Sequence, residues 1–357
     1  MCGIAGVISL SGEAIPEIRT RLTIMSLLIE HRGPDGDGIW VSDNDSLGFA
    51  HRRLSIIDLT EAGRQPMSSE QGNWLVHNGE IYNHEELREQ LSASRKFYSQ
   101  SDTEVILAAY EKFGVSALEH LRGMWAFALW DQKQHSFFAS RDRFGIKPFY
   151  YTVSNNNFYF ASEPKALMPF LKEIKTDKEG LAEYLTFQYN LNDMTLFEGI
   201  KQIPPAHFLT IKDGHINVRR YWDVEYEIDY SLDKLECEDR LNQLLTDSVR
   251  VHLRSDVEVG AYLSGGVDSS LISTLASEND AKNKKAFHGK FTCFEGYDES
   301  NFAESAAKLA GKELYQIDIT ATDFLDNIEK VIYSLDYPVA GPGSFPQFMT
   351  SKLASEH

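Results

Sequence analysis

The chain opens on MCGIAGVISL (residues 1–10), which sets a cysteine directly after the initiator methionine and directly before an apolar run of strand character. Chain termini are usually frayed and tolerant of change, and a thiol there has little packing value and is open to oxidation. Cys2 is therefore either incidental or placed at a chain end for a reason. Removal of Met1, which the small second residue permits, would leave the α-amine of Cys2 one short covalent path from its own thiol. An α-amine with a pKa of ~7.7–8.0 and a thiol with one of ~8.5 are matched for proton exchange near neutral pH, which is what a general base needs. An N-terminal nucleophile is one known solution to that activation problem. A lipid-modified cysteine would want an apolar signal ahead of it, and none precedes Cys2.

The bulk properties frame the rest. A length of 357 residues allows two domains with their own cores. The formal net charge is −18, from 53 acidic and 35 basic residues, which argues against nucleic acid and against an anionic membrane surface as partners. No apolar run reaches the ~18–20 residues of a membrane-spanning helix, and the start has neither the basic stretch nor the apolar stretch of a signal peptide. Cys2, Cys237 and Cys293 are odd in number and far apart, so neither a disulfide framework nor a zinc spacing is present and a cytoplasmic location is expected.

Along residues 1–165 the pattern is of short, turn-bounded strands: GIAGVIS, SLGFAH, NWLVHNGEIYN, GMWAFALWD, HSFFASRD, PFYYTV and NFYFAS. Helical patterns interrupt them near 16–31 and 102–114. This mixture predicts packed, largely antiparallel sheets, an α+β first domain. A helix-like KEGLAEYLTFQ and a strand pair around IPPAHFLTIKDGHINVRRYW carry it to residue 222, and the acidic, aperiodic stretch 223–236 reads as a linker. From 237 to 357 strands and helices alternate, which predicts a doubly wound parallel sheet. The helix ECEDRLNQLLTDSVRVHL is expected to carry Leu241, Leu244, Leu245 and Val249 on one face. EVGAYL, AFHGKFTCF and ELYQIDI are the expected strands.

YLSGGVDSS (262–270) falls where a strand of this second domain meets a helix. Adjacent Gly265 and Gly266 let the backbone approach a ligand. The following helix N-terminus favours an anion such as phosphate. Ser264, Ser269 and Ser270 add hydroxyl donors, and Asp268 suits a phosphate only if Mg²⁺ bridges them. The loop lacks the lysine and spacing of a Walker A sequence. The whole string resembles the pyrophosphate-binding loop of ATP pyrophosphatases. The resemblance implies cleavage of ATP between its α and β phosphates, with an adenylated acid as intermediate.

HRGPDG (31–36), HRRLSIID (51–58), NGEIYN (78–83) and SDTEVI (101–106) follow Cys2 in order. With MCGI they resemble the glutaminase domain of class II glutamine amidotransferases, a sandwich of antiparallel sheets with helices whose nucleophile is an N-terminal cysteine. The resemblance implies that the Asn78 side chain and the Gly79 backbone N–H form an oxyanion hole, with glycine leaving room for the approach. It implies that Arg53 pairs the carboxylate of glutamine and Asp102 its amine, and that Glu80 and the segment Leu54, Ser55, Ile56 and Ile57 line the site.

Both halves together resemble glutamine-dependent asparagine synthetases. SRDRFGIKPFYY (140–151), SEPKAL (162–167) and DYPVAGPGSFPQ (336–347) extend the resemblance along the chain. It implies two domains, a glutaminase over 1–222 and an ATP pyrophosphatase domain over 237–357, with Leu263 and Cys293 lining the ATP site. Cys293 departs from the aliphatic residue usual there. The implied reaction uses glutamine, ATP with Mg²⁺, and aspartate; a homodimer is compatible with it. An amidotransferase of the same architecture acting on a sugar acid or other carboxylate shares every motif. A β-lactam-forming relative would lack the cysteine, and a non-catalytic glutamine- or nucleotide-binding regulator has no use for intact Cys2, Asn78 and Asp268. The second domain is expected to be incomplete, with the helix over 344–357 lacking a partner for Phe345, Phe348, Met349 and Leu353 and with a sheet edge open to aggregation.

Overall fold

The computed structural model describes every residue of the chain except 94, 281, 283, 294, 295, 337, 339 and 340. The last of the sequence motifs, 336–347, thus lies partly outside the described residues. Two units separate, Met1–Glu225 and Tyr226–His357.

In unit 1 the elements run β1 (Gly3–Ser9), α1 (Ile18–Leu28), β2 (Gly36–Val41), β3 (Leu47–Arg53), β4 (Met67–Ser68), β5 (Trp74–Ile81), α2 (His84–Leu91), α3 (Asp102–Phe113) and α4 (Ala117–His120). They continue as β6 (Gly123–Asp131), β7 (Ser136–Arg141), β8 (Tyr150–Ser154), β9 (Asn157–Ala161), α5 (Lys178–Phe187), β10 (Lys201–Gln202), β11 (His207–Lys212) and β12 (His215–Arg220). They build two six-stranded sheets, β10-β8-β9-β1-β3-β2 and β12-β11-β7-β6-β5-β4. The pairings are antiparallel throughout.

Alternation of side chains along each strand decides the layers. Ile4 and Ile8 of β1, Phe49 of β3, Val76 of β5, and Ala126 and Ala128 of β6 meet between the sheets with Phe137, Phe158 and Phe160. On the far face of the second sheet, Leu75, Phe127 and Leu129 pack against Val105, Ile106 and Ala109 of α3 and Leu87 and Leu91 of α2. Helix α1 lies against β1 and β3 on the other outer face. Unit 1 is thus a sandwich of two sheets flanked by helices, as the sequence predicts.

Five elements of this unit lie outside the strands and helices that the sequence predicts: β2, the two-residue β4 and β10, α2 and the one-turn α4. Helix α2 is too short and polar to show a period. The pair β11–β12 and the short β10 belong to the two sheets, as β11 pairs with β7 and β10 with β8.

Unit 2 runs α6 (Lys234–His252), β13 (Ala261–Tyr262), α7 (Val267–Asn279), β14 (Lys285–Lys290), α8 (Ser300–Ala310), β15 (Glu313–Asp318), α9 (Ala321–Leu335) and α10 (Ser344–Ser355). The strands pair in parallel in the order β13-β14-β15. Leu263, Ala286, Ala303 and Ala307 pack on one side of the sheet. Ile319, Val331, Phe345 and Met349 form a second cluster with Phe291 and Ile317. This is the expected parallel sheet with helices.

Three expectations change here. Strand β14 ends at Lys290, so Cys293 lies beyond it in a turn. Only Leu245 and Val249 of the α6 stripe join a core, with Leu275 and Ala276 of α7, while Leu241 and Leu244 stay 57% and 68% exposed. Helix α10 finds its partner within the chain: Phe345 and Met349 are buried against α9 and the sheet, with Phe348 packed beside them.

Packing is tight at the centre of β1. A Cβ added to Gly6 would stand 2.4 Å from the Phe160 ring and 2.9 Å from the Gly48 carbonyl oxygen. We expect Gly6→Ala to destabilise unit 1 by about 1–3 kcal/mol through overpacking. Denaturant unfolding followed by tryptophan fluorescence checks this, since Trp40, Trp74, Trp125, Trp130 and Trp222 all lie in that unit.

Candidate active site

The site begins at the outer edge of β5. Residues 74–81 of this strand alternate in the direction of their backbone groups, so the even positions bond to β6 and the odd ones face the other side. There β4 is only two residues long and pairs at Leu75. Beyond it the edge is covered by side chains. The Gln65 side-chain oxygen accepts the His77 N–H at 2.6 Å, and His51 Nε2 donates to the His77 carbonyl at 3.1 Å. Asp102 Oδ2 accepts the Ile81 N–H at 2.8 Å. Between these, the same alternation turns the N–H of Gly79 toward this edge.

The same alternation places side chains. Val76 of β5 faces the inter-sheet core, and Asn78, two residues further along the strand, shares that face. Asn78 is buried, and neither its Oδ1 nor its Nδ2 has a hydrogen-bond partner. An unpartnered buried amide is costly unless a ligand meets it.

Cys2 sits just ahead of β1. Its Sγ faces Leu54, donating to the carbonyl at 3.5 Å and receiving the N–H at 3.4 Å. Burial pushes the thiol pKa up, and the Leu54 N–H partly opposes this. Glu80 and Asp102 add a repulsive field at the sulfur, which puts both carboxyls in the same neighbourhood. Glu80 itself is raised to about 8, by burial first and then by Asp102, with Lys147 pulling the other way. Lys147 is buried, its pKa lowered mainly by that burial, and its Nζ reaches Met1 Sδ at 3.2 Å.

The glutamine-binding candidates divide. Asp102 opens α3 behind the Ser101 N-cap, one oxygen taken by Ile81. Leu54, Ser55, Ile56 and Ile57 form a half-buried loop whose Ser55 N–H is held by Asp35 at 2.8 Å. Arg53 differs from expectation. Its Nη1 donates to the Thr60 carbonyl at 2.9 Å and its Nη2 to the carbonyls of Asp58 and Ile57, so the fork clasps its own loop. A carboxylate would meet the remaining N–H groups. Asp58 ties that loop to the Gln100 N–H at 2.7 Å, just ahead of α3.

The reason for glycine at 79 also changes. A Cβ there would stand 2.1 Å from the Met124 carbonyl oxygen and 2.6 Å from His77 Nε2. The room is already filled by protein, so glycine serves the packing of β5 on β6 and of the His77 ring, not the entry of a ligand.

A cluster of residues named in the sequence only within motifs holds the Cys2 backbone. Arg32 Nε donates to the Cys2 carbonyl at 2.9 Å, and its Nη1 donates to Glu163 at 2.7 Å. Glu163 also meets His31 Nε2 and Lys165 Nζ, while the neighbouring Ser162 hydroxyl accepts the Ile4 N–H at 2.9 Å. Burial would raise the Glu163 carboxyl, but His31, Arg32 and Lys165 hold it down to about 2.

In unit 2 the loop 263–266 leaves β13 and enters α7. Gly265 has φ +84°, and a Cβ there would meet Ala303 N and Phe302 Cβ at 2.6 Å. Gly266 is the N-cap of α7, and Asp268 and Ser264 are exposed. The serine hydroxyls bond within the loop: Ser264 to Ser269 at 2.9 Å and Ser269 to the Gly266 carbonyl at 3.2 Å. Leu263 does not line the site with its side chain, which is buried against Ala286, Ala303 and Ala307. Cys293 is exposed. It follows the C-terminal end of β14, the neighbour of β13, and so lies at the sheet edge where α/β sheets bind ligands. No cluster of three His, Cys, Asp or Glu able to hold a metal occurs among the described residues. Asp268 alone suits Mg²⁺ brought in on phosphates, as that ion takes one or two carboxylates plus substrate oxygens.

The depressed carboxyl of Glu163 makes a prediction. Taken from an ordinary value of 4.5 to about 2, it contributes stability on the order of 3 kcal/mol at ~1.36 kcal/mol per pH unit. That stability is complete above the unfolded pKa and is lost as pH falls toward 2. We expect Glu163→Gln to lower unfolding free energy at pH 7 by about this amount, with the gap to the parent closing through that acid window. Urea titrations across pH 2–7 check it.

Comparison with known proteins agrees with this geometry. The model of the glutamine amidotransferase domain matches residues 1–222, and that of asparagine synthase matches 240–357. Asparagine synthetase (glutamine-hydrolyzing) 1 of Bacillus subtilis is 39% identical, over all of this chain and 56% of that protein. Asparagine synthetase (glutamine-hydrolyzing) 3 of the same organism is 35% identical, over 95% of this chain and 57% of that protein. Amidase chry2 of Gibberella zeae is 34% identical, over 95% and 54%. The chain therefore spans about half the length of these relatives. Among solved structures, the phosphoribosylpyrophosphate amidotransferase of B. subtilis is 15% identical with a TM-score of 0.47 over 89% of this chain and 81% of that one, too slight a likeness to argue from. No helix among the described residues is long and apolar enough to cross a membrane. A two-sheet sandwich with a cysteine just ahead of its first strand, matched over residues 1–222, and a parallel-sheet unit matched over 240–357 give one conclusion: the chain belongs to the glutamine amidotransferase family and joins that domain to one of the asparagine synthase family.

Proposed function

We propose that residues 1–222 hydrolyse glutamine and that residues 237–357, beyond a linker at 223–236, take part in ATP-dependent transfer of the released ammonia to the side-chain carboxylate of aspartate. The observation that carries the first half is the edge of β5, where the buried Asn78 side chain lacks hydrogen-bond partners and the Gly79 N–H faces outward.

The steps follow from the residues. Met1 is removed, and the Cys2 amine takes the thiol proton. Burial and the cations Arg32 and Lys147 lower the pKa of the chain's terminal ammonium, and the same surroundings keep an amine one residue further in as a neutral base. The sulfur attacks the glutamine carboxamide, and the oxyanion that forms meets Gly79 N–H and Asn78 Nδ2. The protonated amine then returns its proton to the leaving nitrogen, ammonia departs, and water cleaves the thioester to glutamate. Asp102 takes the ammonium of glutamine through its second oxygen, and the Arg53 N–H groups left outside the loop clasp take the carboxylate. Burial and Asp102 raise the Glu80 carboxyl to about 8, which weakens its repulsion of a bound carboxylate.

In unit 2 the N-terminus of α7 with Gly265, Gly266, Ser264 and Ser269 accepts the pyrophosphate of ATP, with Cys293 at the neighbouring strand end. Asp268 would hold Mg²⁺, which neutralises phosphate charge. Aspartate is adenylated and ammonia displaces AMP. The 34% identity to an amidase favours a second reading of the acceptor, a different carboxylate on the same machinery.

The test is glutamate release from glutamine by this chain. The parent with Met1 processed is expected to be active. Cys2→Ala is expected to lose activity entirely, and a form with Met1 blocked from removal is expected to fall by at least about 10²-fold, since it lacks the base. Parental rates in the unprocessed form would overturn the assignment.

A further inference from the structure

Three buried residues that the reaction scheme does not use meet at one point. Gln65 accepts the His77 N–H through Oε1 at 2.6 Å and donates through Nε2 to the Thr103 hydroxyl at 3.2 Å. Thr103 Oγ1 lies 3.2 Å from His77 Nδ1. Thr103 Oγ1 accepts the Gln65 amide and shares one further hydrogen with His77 Nδ1, carried by the hydroxyl or by the ring according to the imidazole tautomer. All three residues are buried. The imidazole is neutral: burial lowers its pKa to about 4.

The position of this triangle gives it consequence. His77 stands two residues before Gly79 on the same strand edge, and Thr103 follows Asp102 in the first turn of α3. Gln65 replaces the strand that β4 is too short to provide, at the one odd position between the β4 pairing and Gly79. The strand is thereby fixed on its open side within one repeat of the Gly79 N–H. The His77 ring fills the space that any side chain at 79 would need. The triangle joins the strand carrying the oxyanion donors to the helix carrying the amine partner of glutamine.

We propose that Gln65, His77 and Thr103 are positioning residues for glutamine hydrolysis: they fix the Gly79 N–H and Asn78 against the start of α3, so that the oxyanion site and the substrate amine site keep one spacing. This rests on the glutaminase reading above. A loosened triangle leaves Cys2, its contacts with Leu54 and Arg32, and Asp102 itself in place. What it loses is the alignment of donors that act on the tetrahedral oxyanion, and small misplacement of such groups is costly in turnover.

The variants are Gln65→Met and Thr103→Val, near-isosteric and unable to make the bonds, with Thr103→Ser as the version that keeps the hydroxyl. Three quantities are measured on the full chain: kcat and KM for glutamate release, the rate of Cys2 alkylation by iodoacetamide read on the N-terminal peptide, and the thermal midpoint. The expected result is a kcat lowered about 10- to 100-fold in both variants, KM within about threefold, Cys2 alkylated at the parental rate and to the parental extent, and Thr103→Ser restoring most of the turnover. Parental kcat in Gln65→Met and Thr103→Val overturns the proposal. So does a loss of kcat matched by an equal loss of alkylatable Cys2, which would mean that the triangle only keeps the unit folded. Absence of glutamate release by the parent, or its survival in Cys2→Ala, overturns the glutaminase reading and the positioning role with it.

Discussion

The outer edge of β5, toward which the Gly79 N–H faces, organises one end of unit 1. A sheet edge is a row of unmet donors and acceptors, and here β4 covers only its beginning. The remainder is met group by group: Gln65 and His51 at His77, and Asp102 at Ile81. The Gly79 N–H is flanked by these closures, so its direction is set by the bonds on either side. A donor held in this way needs no reorganisation when negative charge develops, the condition under which such donors are worth most.

The electrostatics around this edge follow from burial. His51 and His77 are pressed to neutrality, at about 3 and about 4, because desolvation disfavours their cations. Glu163 goes the other way: three cationic or protonatable neighbours outweigh its burial, and the resulting ion cluster reaches the Cys2 carbonyl through Arg32. A buried carboxylate is affordable only with such partners. The Cys2 backbone is therefore fixed by charge, and strand β5 by neutral hydrogen bonds. A protonation change in one would not propagate simply into the other.

Much of this was legible in the chain. Short turn-bounded runs such as GIAGVIS and GMWAFALWD predict the strands of the sandwich, and the strand–helix alternation after residue 236 predicts the parallel sheet. Motif order brought out Cys2, Asn78, Gly79, Glu80 and Asp102, which the fold gathers at one end of unit 1. What failed depended on strand order and on contacts distant in sequence. That β5 is an edge past residue 75 follows from the shortness of β4, which no local pattern announces. That the Arg53 fork already holds carbonyls of its own loop, and that Gly79 is a glycine because of Met124 and His77, are matters of packing. Leu263 reads as a lining residue next to a glycine loop, but the sheet turns its side chain into the core among small alanines. Helix α10 found a partner because α9 and the sheet present Val331, Ile317 and Ile319 to it.

The central claim is that glutamine is opened by a sulfur at the processed chain start. The most direct measurement is rapid acid quench of the chain turning over glutamine, followed by mass spectrometry of its N-terminal peptide. The account predicts a peptide that begins at Cys2 and carries a γ-glutamyl group as a thioester on its sulfur, released by hydroxylamine. A peptide that retains Met1 while the chain turns over at full rate, or an acyl group found on any other side chain, would contradict it.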